Sequence, residues 1–309
     1  MRIAAQGRGF ACGLVVGLAL GGPTYAAEPS AFEQMLERGR AGDVEAQRRL
    51  GAAYYFGRRV ERDFEAAASW WERAADQGDA ASAYNLSTLY QNGEGVEEDP
   101  FEAARWLREA RDGSPDARGE LERLETTGAL LEVDAEAAYA FYRVDAEAGH
   151  AASQRLVGLM LREGRGVERD AAAAFRWLEK AAQQGDAEAQ GALGSLYDEG
   201  QGVARDPLQA LVWFEKAAAQ GHAGAQFNLG SMYLHGNGVP EDHAEAVMWL
   251  TLCAEEVYSA RYLLHSEQDR IAPADLAKGR AMAEARRRTP DARAGGEVPV
   301  SGPPERSAP

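Results

Sequence analysis

One pattern of about 36 residues recurs six times, and this period constrains the fold more than any other feature of the sequence. A glycine opens each unit, and the six glycines are Gly42, Gly78, Gly113, Gly149, Gly185 and Gly221. A period of this length is typical of solenoids, in which each unit buries its apolar surface only against its neighbours. The sequence therefore predicts one elongated array over residues 42–256 rather than two separate globular domains. The predicted units are 42–77, 78–112, 113–148, 149–184, 185–220 and 221–256.

The second half of each unit has the periodicity of an amphipathic helix. In the first unit, the small and aromatic residues at positions i, i+3, i+4, i+7 and i+8 are Ala67, Trp70, Trp71, Ala74 and Ala75. One aromatic position recurs in every unit, and its residues are Trp70, Trp106, Phe141, Trp177, Trp213 and Trp249. A large ring beside small alanines can fill the space between adjacent helices. We therefore expect this aromatic column to form the core between units.

An aspartate precedes each of these helices. The six residues are Asp63, Asp99, Asp134, Asp170, Asp206 and Asp242. Aspartate is a favoured N-cap, and each such cap contributes about 1 kcal/mol of stability. The aspartates are therefore predicted to be helix caps, and this column needs no metal-binding or catalytic role.

The first half of each unit predicts another helix, and a glycine-containing turn joins the two. The turn glycines are Gly93, Gly95, Gly164, Gly166, Gly200, Gly202, Gly236 and Gly238. Glycine can adopt the positive φ angles that end a helix and reverse the chain. A phosphate-binding loop is the alternative interpretation of Gly-x-Gly, but no Lys-Ser/Thr pair follows and no strand precedes.

These motifs together closely resemble the Sel-one-like repeat (SLR), a tetratricopeptide-like helix pair. Unit five shows the pattern almost whole in GDAEAQGALGSLYDEGQGVARDPLQALVWFEKAA, and the resemblance extends over the whole predicted array, 42–256. The resemblance implies an all-α fold, a right-handed α-solenoid of about six helix-turn-helix repeats with a C-terminal capping helix. It also implies an adaptor that assembles other proteins, and exported bacterial members of the family imply a task in the cell envelope.

Unit three departs from the pattern in its turn and in its aromatic position. Glu125 replaces the usual tyrosine, Leu130 replaces the second turn glycine, and Phe141 replaces the tryptophan. We expect both of its helices to form. The shorter turn indicates either a change in the local superhelical angle or a partner contact, and the sequence does not separate these two interpretations.

The two ends of the chain have different compositions from the array. Residues 1–26 combine Arg2 and Arg8 with an apolar stretch and a small-residue site, which predicts a signal peptide cleaved after Ala26; an uncleaved anchor is the alternative. Residues 27–41 and 257–288 are predicted to cap the two ends of the array. The proline-rich segment 289–309 predicts a disordered tail. The expected location is the periplasm or outside the cell, without stable membrane insertion after cleavage.

The net charge and the reactive side chains limit which partners and which chemistry are expected. A formal net charge of -16 repels nucleic acid, so we expect no nucleic-acid partner. Cys253 occupies an alanine position of the array and is interpreted as a small core residue rather than a nucleophile. The five histidines are interpreted as surface or capping residues: His150, His222, His235, His243 and His265. No catalytic, cofactor-binding or metal-ligating residue is predicted.

The leading hypothesis is therefore a non-enzymatic periplasmic scaffold that binds a partner protein or peptide, with a role in envelope signalling, secretion or assembly. A second hypothesis is a subunit of cell-wall or polysaccharide machinery that stacks sugars on exposed aromatic rings. A cysteine-rich branch of the SLR family is associated with β-lactam binding or hydrolysis. That branch depends on paired cysteines in each repeat, whereas this chain contains only Cys12 and Cys253.

Overall fold

A computed structural model describes residues 30–288 of the chain. The predicted signal peptide (1–26) and the predicted disordered tail (289–309) lie outside these residues. Within them the chain is entirely helical and has no strand. The helices are α1 Ala31–Arg40, α2 Val44–Phe56, α3 Phe64–Ala75, α4 Ala80–Asn92, α5 Pro100–Ala110, α6 Pro115–Thr127, α7 Ala129–Val133, α8 Ala135–Glu147, α9 Ala151–Glu163, α10 Ala171–Gln183, α11 Ala187–Glu199, α12 Pro207–Ala219, α13 Ala223–His235, α14 His243–Cys253, α15 Tyr258–Ser266 and α16 Pro273–Arg288.

The helices form antiparallel pairs that pack in series, and the predicted α-solenoid is confirmed. The six pairs, one per unit, are α2/α3, α4/α5, α6/α8, α9/α10, α11/α12 and α13/α14; five of them pack directly, whereas α6 and α8 are linked through α7. We call the earlier member of each pair the first helix of its unit and the later member the second helix. No helix between residues 30 and 288 is both long enough and apolar enough to cross a bilayer.

Each second helix begins at the aspartate of its unit. The side chains of Asp63, Asp99, Asp134, Asp170, Asp206 and Asp242 all accept backbone N–H bonds from the first helical turn, with N···O distances from 2.8 to 3.1 Å. These bonds satisfy donors that have no partner inside the helix. All six carboxylates thus act as N-caps of second helices.

The two glycines of a turn have different tasks. In unit four, Gly164 ends α9 in the left-handed conformation with φ of 75°. Gly166 also has positive φ, and a Cβ built there would lie only 2.1 Å from the Ala135 carbonyl oxygen at the start of α8. The second glycine therefore lets each turn pack against the second helix of the preceding unit. Gly95 and Gly202 make the same close approach.

The deepest core column of the array lies one residue beyond the predicted aromatic column. Residues of this deep column are between 0% and 3% exposed, and they are Trp71, Leu107, Tyr142, Leu178, Phe214 and Leu250. In the predicted column two residues are buried, Trp106 and Trp249, and four are half-buried: Trp70, Phe141, Trp177 and Trp213. One step along an α-helix turns the side chain by about 100°. This rotation places the deep core column between the two helices of a unit and leaves most of the predicted aromatic column at the edge of the core, where the rings are half-buried.

Small residues of the first helices explain the depth of this column. A Cβ at Gly158 would lie 2.7 Å from Leu178 Cγ, and a Cβ at Gly194 would lie 2.7 Å from the Phe214 ring. The missing Cβ atoms therefore leave room for the large side chains of the second helix of the same unit. The half-buried rings of the predicted aromatic column are instead covered by cationic side chains. Lys180 Nζ, for example, lies 4.2 Å from the centroid of the Trp177 ring.

Unit three is built differently, and its sequence shows the cause. At the position of Gly158 in unit four, unit three has Glu122, whereas the other five units have glycine or serine. A glutamate does not fit between closely paired helices, so the backbones of α6 and α8 stay apart and the short helix α7 contacts both. Leu130, which replaces the second turn glycine, is buried in α7.

Helices outside the six pairs cover the two ends of the array. Gly39 of α1 packs against Leu50 of α2, where a Cβ would lie 2.5 Å from Leu50 Cδ1. At the other end α16 lies along α14, and a Cβ at Gly279 would lie 2.5 Å from the Ala244 carbonyl oxygen. As a result the middle of α14 is buried all round, which explains why residues 246–250 are all apolar.

Candidate functional site

The first helices lie side by side and form one continuous surface, which we call the first-helix face (α2, α4, α6, α9, α11 and α13). Clefts open on this face between α2 and α4, between α9 and α11, and between α11 and α13. In two of them a residue of the deep core column forms the floor: Trp71 in the α2/α4 cleft and Phe214 in the α11/α13 cleft. In these two clefts the deep core column therefore forms the floor, and the side chains of the first helices determine whether the cleft is polar or apolar.

The α2/α4 cleft is small and aromatic, with a volume of about 140 Å³. Its walls are Ala52, Tyr55 and Phe56 on one side and Asn85 and Thr88 on the other. The centroid of the Tyr55 ring lies 5.4 Å from the Trp71 ring and 5.0 Å from the Phe56 ring. The cleft can accept one apolar group, with the Asn85 amide beside it.

The α11/α13 cleft is larger and polar, with a volume of about 530 Å³. Its walls are formed by hydroxyl, amide, carboxylate and imidazole side chains: Ser195, Asp198, Glu199, Asn228, Ser231, His235 and Asn237. Asp198 Oδ1 accepts a hydrogen bond from Asn237 Nδ2 at 3.3 Å and pairs with Arg205 at 3.4 Å. The neighbouring α9/α11 cleft shares Ser195 and Glu199 and adds Arg162 and Glu163.

Charged side chains are buried where unit three meets its neighbours. Asp145 is 2% exposed, although its position holds alanine or cysteine in the other five units. Its carboxylate oxygens lie 2.9 Å from Arg108 Nε and 3.6 Å from Arg111 Nη1. Glu125 accepts a hydrogen bond from Ser153 Oγ at 2.7 Å and pairs with Arg111 at 3.4 Å. This cluster joins units two, three and four, and its carboxylates are already occupied by protein donors.

The residues singled out in the sequence do not converge on one site. The aspartate caps and turn glycines lie at helix ends, and the aromatic column lies between second helices or at their rim. Cys253 is buried, its thiol donates to the Leu250 carbonyl at 3.5 Å, and burial raises the pKa of that thiol to about 11. Between residues 30 and 288 no group of three His, Cys, Asp or Glu side chains is placed to hold a metal ion.

The histidines occupy different environments. His150 and His222 are the N-cap residues of α9 and α13, and His243 is the first residue of α14. His235 ends α13 and lines the α11/α13 cleft, and His265 lies on α15. The cleft residues, including Tyr55, Phe56 and Asn228, were not identified from the sequence, because their types change from unit to unit and show no period.

We predict that His222 makes the stability of the array depend on pH. Its Nδ1 accepts the backbone N–H of Ala225 at 3.0 Å, and burial lowers the pKa of the ring below the usual 6.5, against a smaller opposite effect of Glu188 and Asp186. Only the neutral ring can accept that bond. The contribution, about 1 kcal/mol for a cap, is therefore present above pH 6.5 and lost as the pH falls through the lower folded-state pKa.

The matched variant is His222→Asp, because Asp186 caps α11 at the same position by accepting from Ala189 N at 2.8 Å. Urea unfolding over a series of pH values measures the free energy of unfolding of both proteins. We expect the wild-type chain to lose more stability than the variant as the pH falls below 6.5. Parallel pH curves for the two proteins would show that His222 has no such role.

Comparison with known proteins identifies the repeat and its relatives. The Sel1 repeat family model matches residues 44–79, 80–114, 151–186, 187–222 and 223–256, more than half of the chain, and leaves out unit three. A protective antigen of uropathogenic Escherichia coli that displays an SLR fold is 32% identical, with a TM-score of 0.53, and the match covers 83% of this chain and 57% of that one. This chain therefore spans little more than half the length of the E. coli protein.

A second solved structure covers more of its own length. A Sel1 repeat protein from Oxalobacter formigenes is 30% identical, with a TM-score of 0.53, and the match covers 84% of this chain and 77% of that one. A comparison with curated proteins gives no match.

Proposed function

The chain belongs to the Sel1 repeat family, whose members are generally protein-interaction scaffolds, and we propose that it is a non-enzymatic adaptor that binds a partner protein or peptide along the first-helix face. The observation that carries this proposal is the row of clefts on that face, which lie between successive first helices but differ in their linings. Chemically different subsites in series suit an extended polypeptide better than a single small molecule.

The side chains that could perform chemistry support an adaptor rather than an enzyme. The Cys253 thiol is buried and its pKa is raised, so it is a poor nucleophile at neutral pH. The buried carboxylates Glu125 and Asp145 are engaged by arginines and Ser153. In this proposal the clefts bind and orient the partner, and the partner supplies any reaction.

We also propose that the adaptor works in the periplasm or outside the cell. The proposal is supported by the order of features in the first 26 residues, in which Arg2 and Arg8 precede an apolar stretch and Thr24 and Ala26 occupy the small-residue positions. The mass of the protein recovered from the producing cell tests it directly. A mature chain that starts at Ala27 is expected, and a mass that includes residues 1–26 would contradict cleavage.

The adaptor proposal is tested by site-specific photo-crosslinking in intact cells. A photoreactive amino acid replaces Ser195 or Ser231, which line clefts on the first-helix face, or replaces Ser69, an exposed serine of the second helix α3. We expect both face positions to give the same discrete protein adduct by mass spectrometry, whereas the Ser69 control gives none. Equal labelling from all three serines, or no adduct from either face position, would contradict the proposal.

A further inference from the structure

We infer that the α2/α4 cleft receives an apolar side chain of the partner and that Arg58 and Arg62 bind a carboxylate next to it. The inference rests on the proposed function and adds the chemistry of the partner: an acidic segment with an aromatic or aliphatic residue. It follows from the side chains of unit one, in which Phe56 and Arg59 occupy positions that hold other residue types in the other five units.

Phe56 is the first of these differences. The ring is 57% exposed at the end of α2, in a position that is polar in the other five units: Asn92, Thr127, Glu163, Glu199 and His235. Packing of the array therefore does not require an aromatic residue there. An exposed ring that lines an aromatic cleft is typical of a binding surface, because a partner can cover it.

The size of the cleft indicates how much of the partner it can hold. Its volume is about 140 Å³, between Tyr55, Phe56 and the floor at Trp71. An apolar cavity of about 150 Å³ engineered in another protein binds benzene, so one aromatic or branched aliphatic side chain fits. The opposite wall, α4, carries no charged residue and offers the Asn85 amide to the backbone of the bound segment.

Two arginines beside the aromatic rings of unit one supply charge complementarity. Arg58 stacks on Phe56, which lines the cleft, and Arg62 stacks on Phe64, whose ring centroid lies 5.2 Å from that of Tyr55. Arg58 Cζ lies 4.8 Å from the centroid of the Phe56 ring, and Arg62 Cζ lies 5.1 Å from the centroid of the Phe64 ring. Neither guanidinium forms an ion pair with a carboxylate between residues 30 and 288. In a chain with a net charge of -16, two such arginines over aromatic rings favour an acidic ligand.

Carboxylates also lie near these arginines: Glu61 and Glu65 line a cleft together with Arg62, but neither forms an ion pair with it. Asp63 caps α3 by accepting from Ala66 N at 3.0 Å, and Glu94 accepts a hydrogen bond from the Tyr55 hydroxyl at 3.2 Å. The turn also contains Arg59, which has a φ of 65° where four other units have glycine. A side chain in this unfavourable left-handed conformation costs about 1–2 kcal/mol in general, so the basic turn is retained against a local conformational preference.

The experiment is fluorescence anisotropy of the full-length chain with two labelled peptides of about ten residues. One peptide has a central tryptophan flanked by glutamates and aspartates, and the other has lysine in place of each acidic residue. The test variants are Phe56→Asn, which installs the residue of unit two, and Arg58→Glu. Leu208→Asn is the matched control, because it also replaces an exposed apolar residue by asparagine, but on the second helix α12 and outside the first-helix face. Circular dichroism verifies that each variant is folded.

We expect the acidic peptide to bind about tenfold more tightly than the basic one, and we expect Phe56→Asn and Arg58→Glu each to weaken it by about tenfold. Leu208→Asn should leave its affinity unchanged. Equal binding of the two peptides, indifference to Phe56→Asn, or no saturable binding of the acidic peptide would overturn the inference. If the Ser195 and Ser231 crosslinks still identify a partner in that case, the adaptor proposal stands and only the partner chemistry assigned to unit one is lost.

Discussion

Replacing Gly166 by alanine is expected to destabilise the array by about 4 kcal/mol, the sum of the cost of positive φ and of overpacking. The new Cβ would lie 2.1 Å from the Ala135 carbonyl oxygen and 2.2 Å from the Ala135 carbonyl carbon. Because both atoms belong to the backbone, no side-chain rotation can relieve the overlap. Units three and four must therefore move apart, and guanidinium unfolding followed by circular dichroism measures the loss.

Gly164→Ala is the control for this prediction, since it changes the same turn and also requires positive φ. Its φ is 75°, against 67° for Gly166, but a Cβ there would have no neighbour nearer than the Arg169 Cβ, at an ordinary 3.6 Å. We expect it to cost about 1–2 kcal/mol, the conformational cost alone. An equal loss of stability in the two variants would show that the close contact between Gly166 and the start of α8 does not stabilise the packing of units three and four.

Asp145→Ala is expected to cost about 3–5 kcal/mol, the typical effect of breaking a buried ion pair from one side. The substitution installs the residue found at this position in four other units, yet it leaves Arg108 and Arg111 without the carboxylate that lies 2.9 Å and 3.6 Å from them. The loss arises from the Arg108 guanidinium, which is left without a carboxylate, rather than from helix propensity, since alanine is the best helix former.

The double variant Arg108→Ala/Asp145→Ala separates these causes. Arg108 pairs with Asp145 at 2.9 Å and with no other carboxylate between residues 30 and 288, whereas Arg111 also pairs with Glu125. Removing both charges leaves the cluster electrically balanced, so we expect the double variant to be more stable than Asp145→Ala alone, and guanidinium unfolding of the four proteins completes the cycle. A double variant that loses the sum of both single effects would show that the ion pair is not the stabilising element.

The period and the local motifs were sufficient to predict the architecture. Glycine and aspartate act through the backbone of a few neighbouring residues, so their effect at Gly164 or Asp170 can be derived without the tertiary fold. The family resemblance is confirmed by the matched repeats. The deep core column was not predicted, because Trp70 and Trp71 are both apolar and only the packing against Gly51 decides which is deeper.

The clefts and the buried ion cluster required the structure for a different reason. Phe56 and Asn85 come from separate units, and so do Ser195 and Asn228. Each of these two pairs lines one cleft only when the first helices lie side by side. The buried charged side chains around unit three could nevertheless be recognised in the sequence. Asp145 and Arg111 interrupt columns of small residues, and such interruptions indicate buried charge once the columns are known to be core.

The most direct test of the adaptor account is hydroxyl-radical footprinting of the chain alone and with the partner identified by crosslinking. The account predicts that oxidation of Phe56 and His235, on the first-helix face, falls when the partner binds. Leu208 on the second helix α12 and Val144 on the second helix α8 are exposed outside that face and should remain equally reactive. Protection of Leu208 and Val144 with no change at Phe56 and His235 would contradict the account and place binding on another surface.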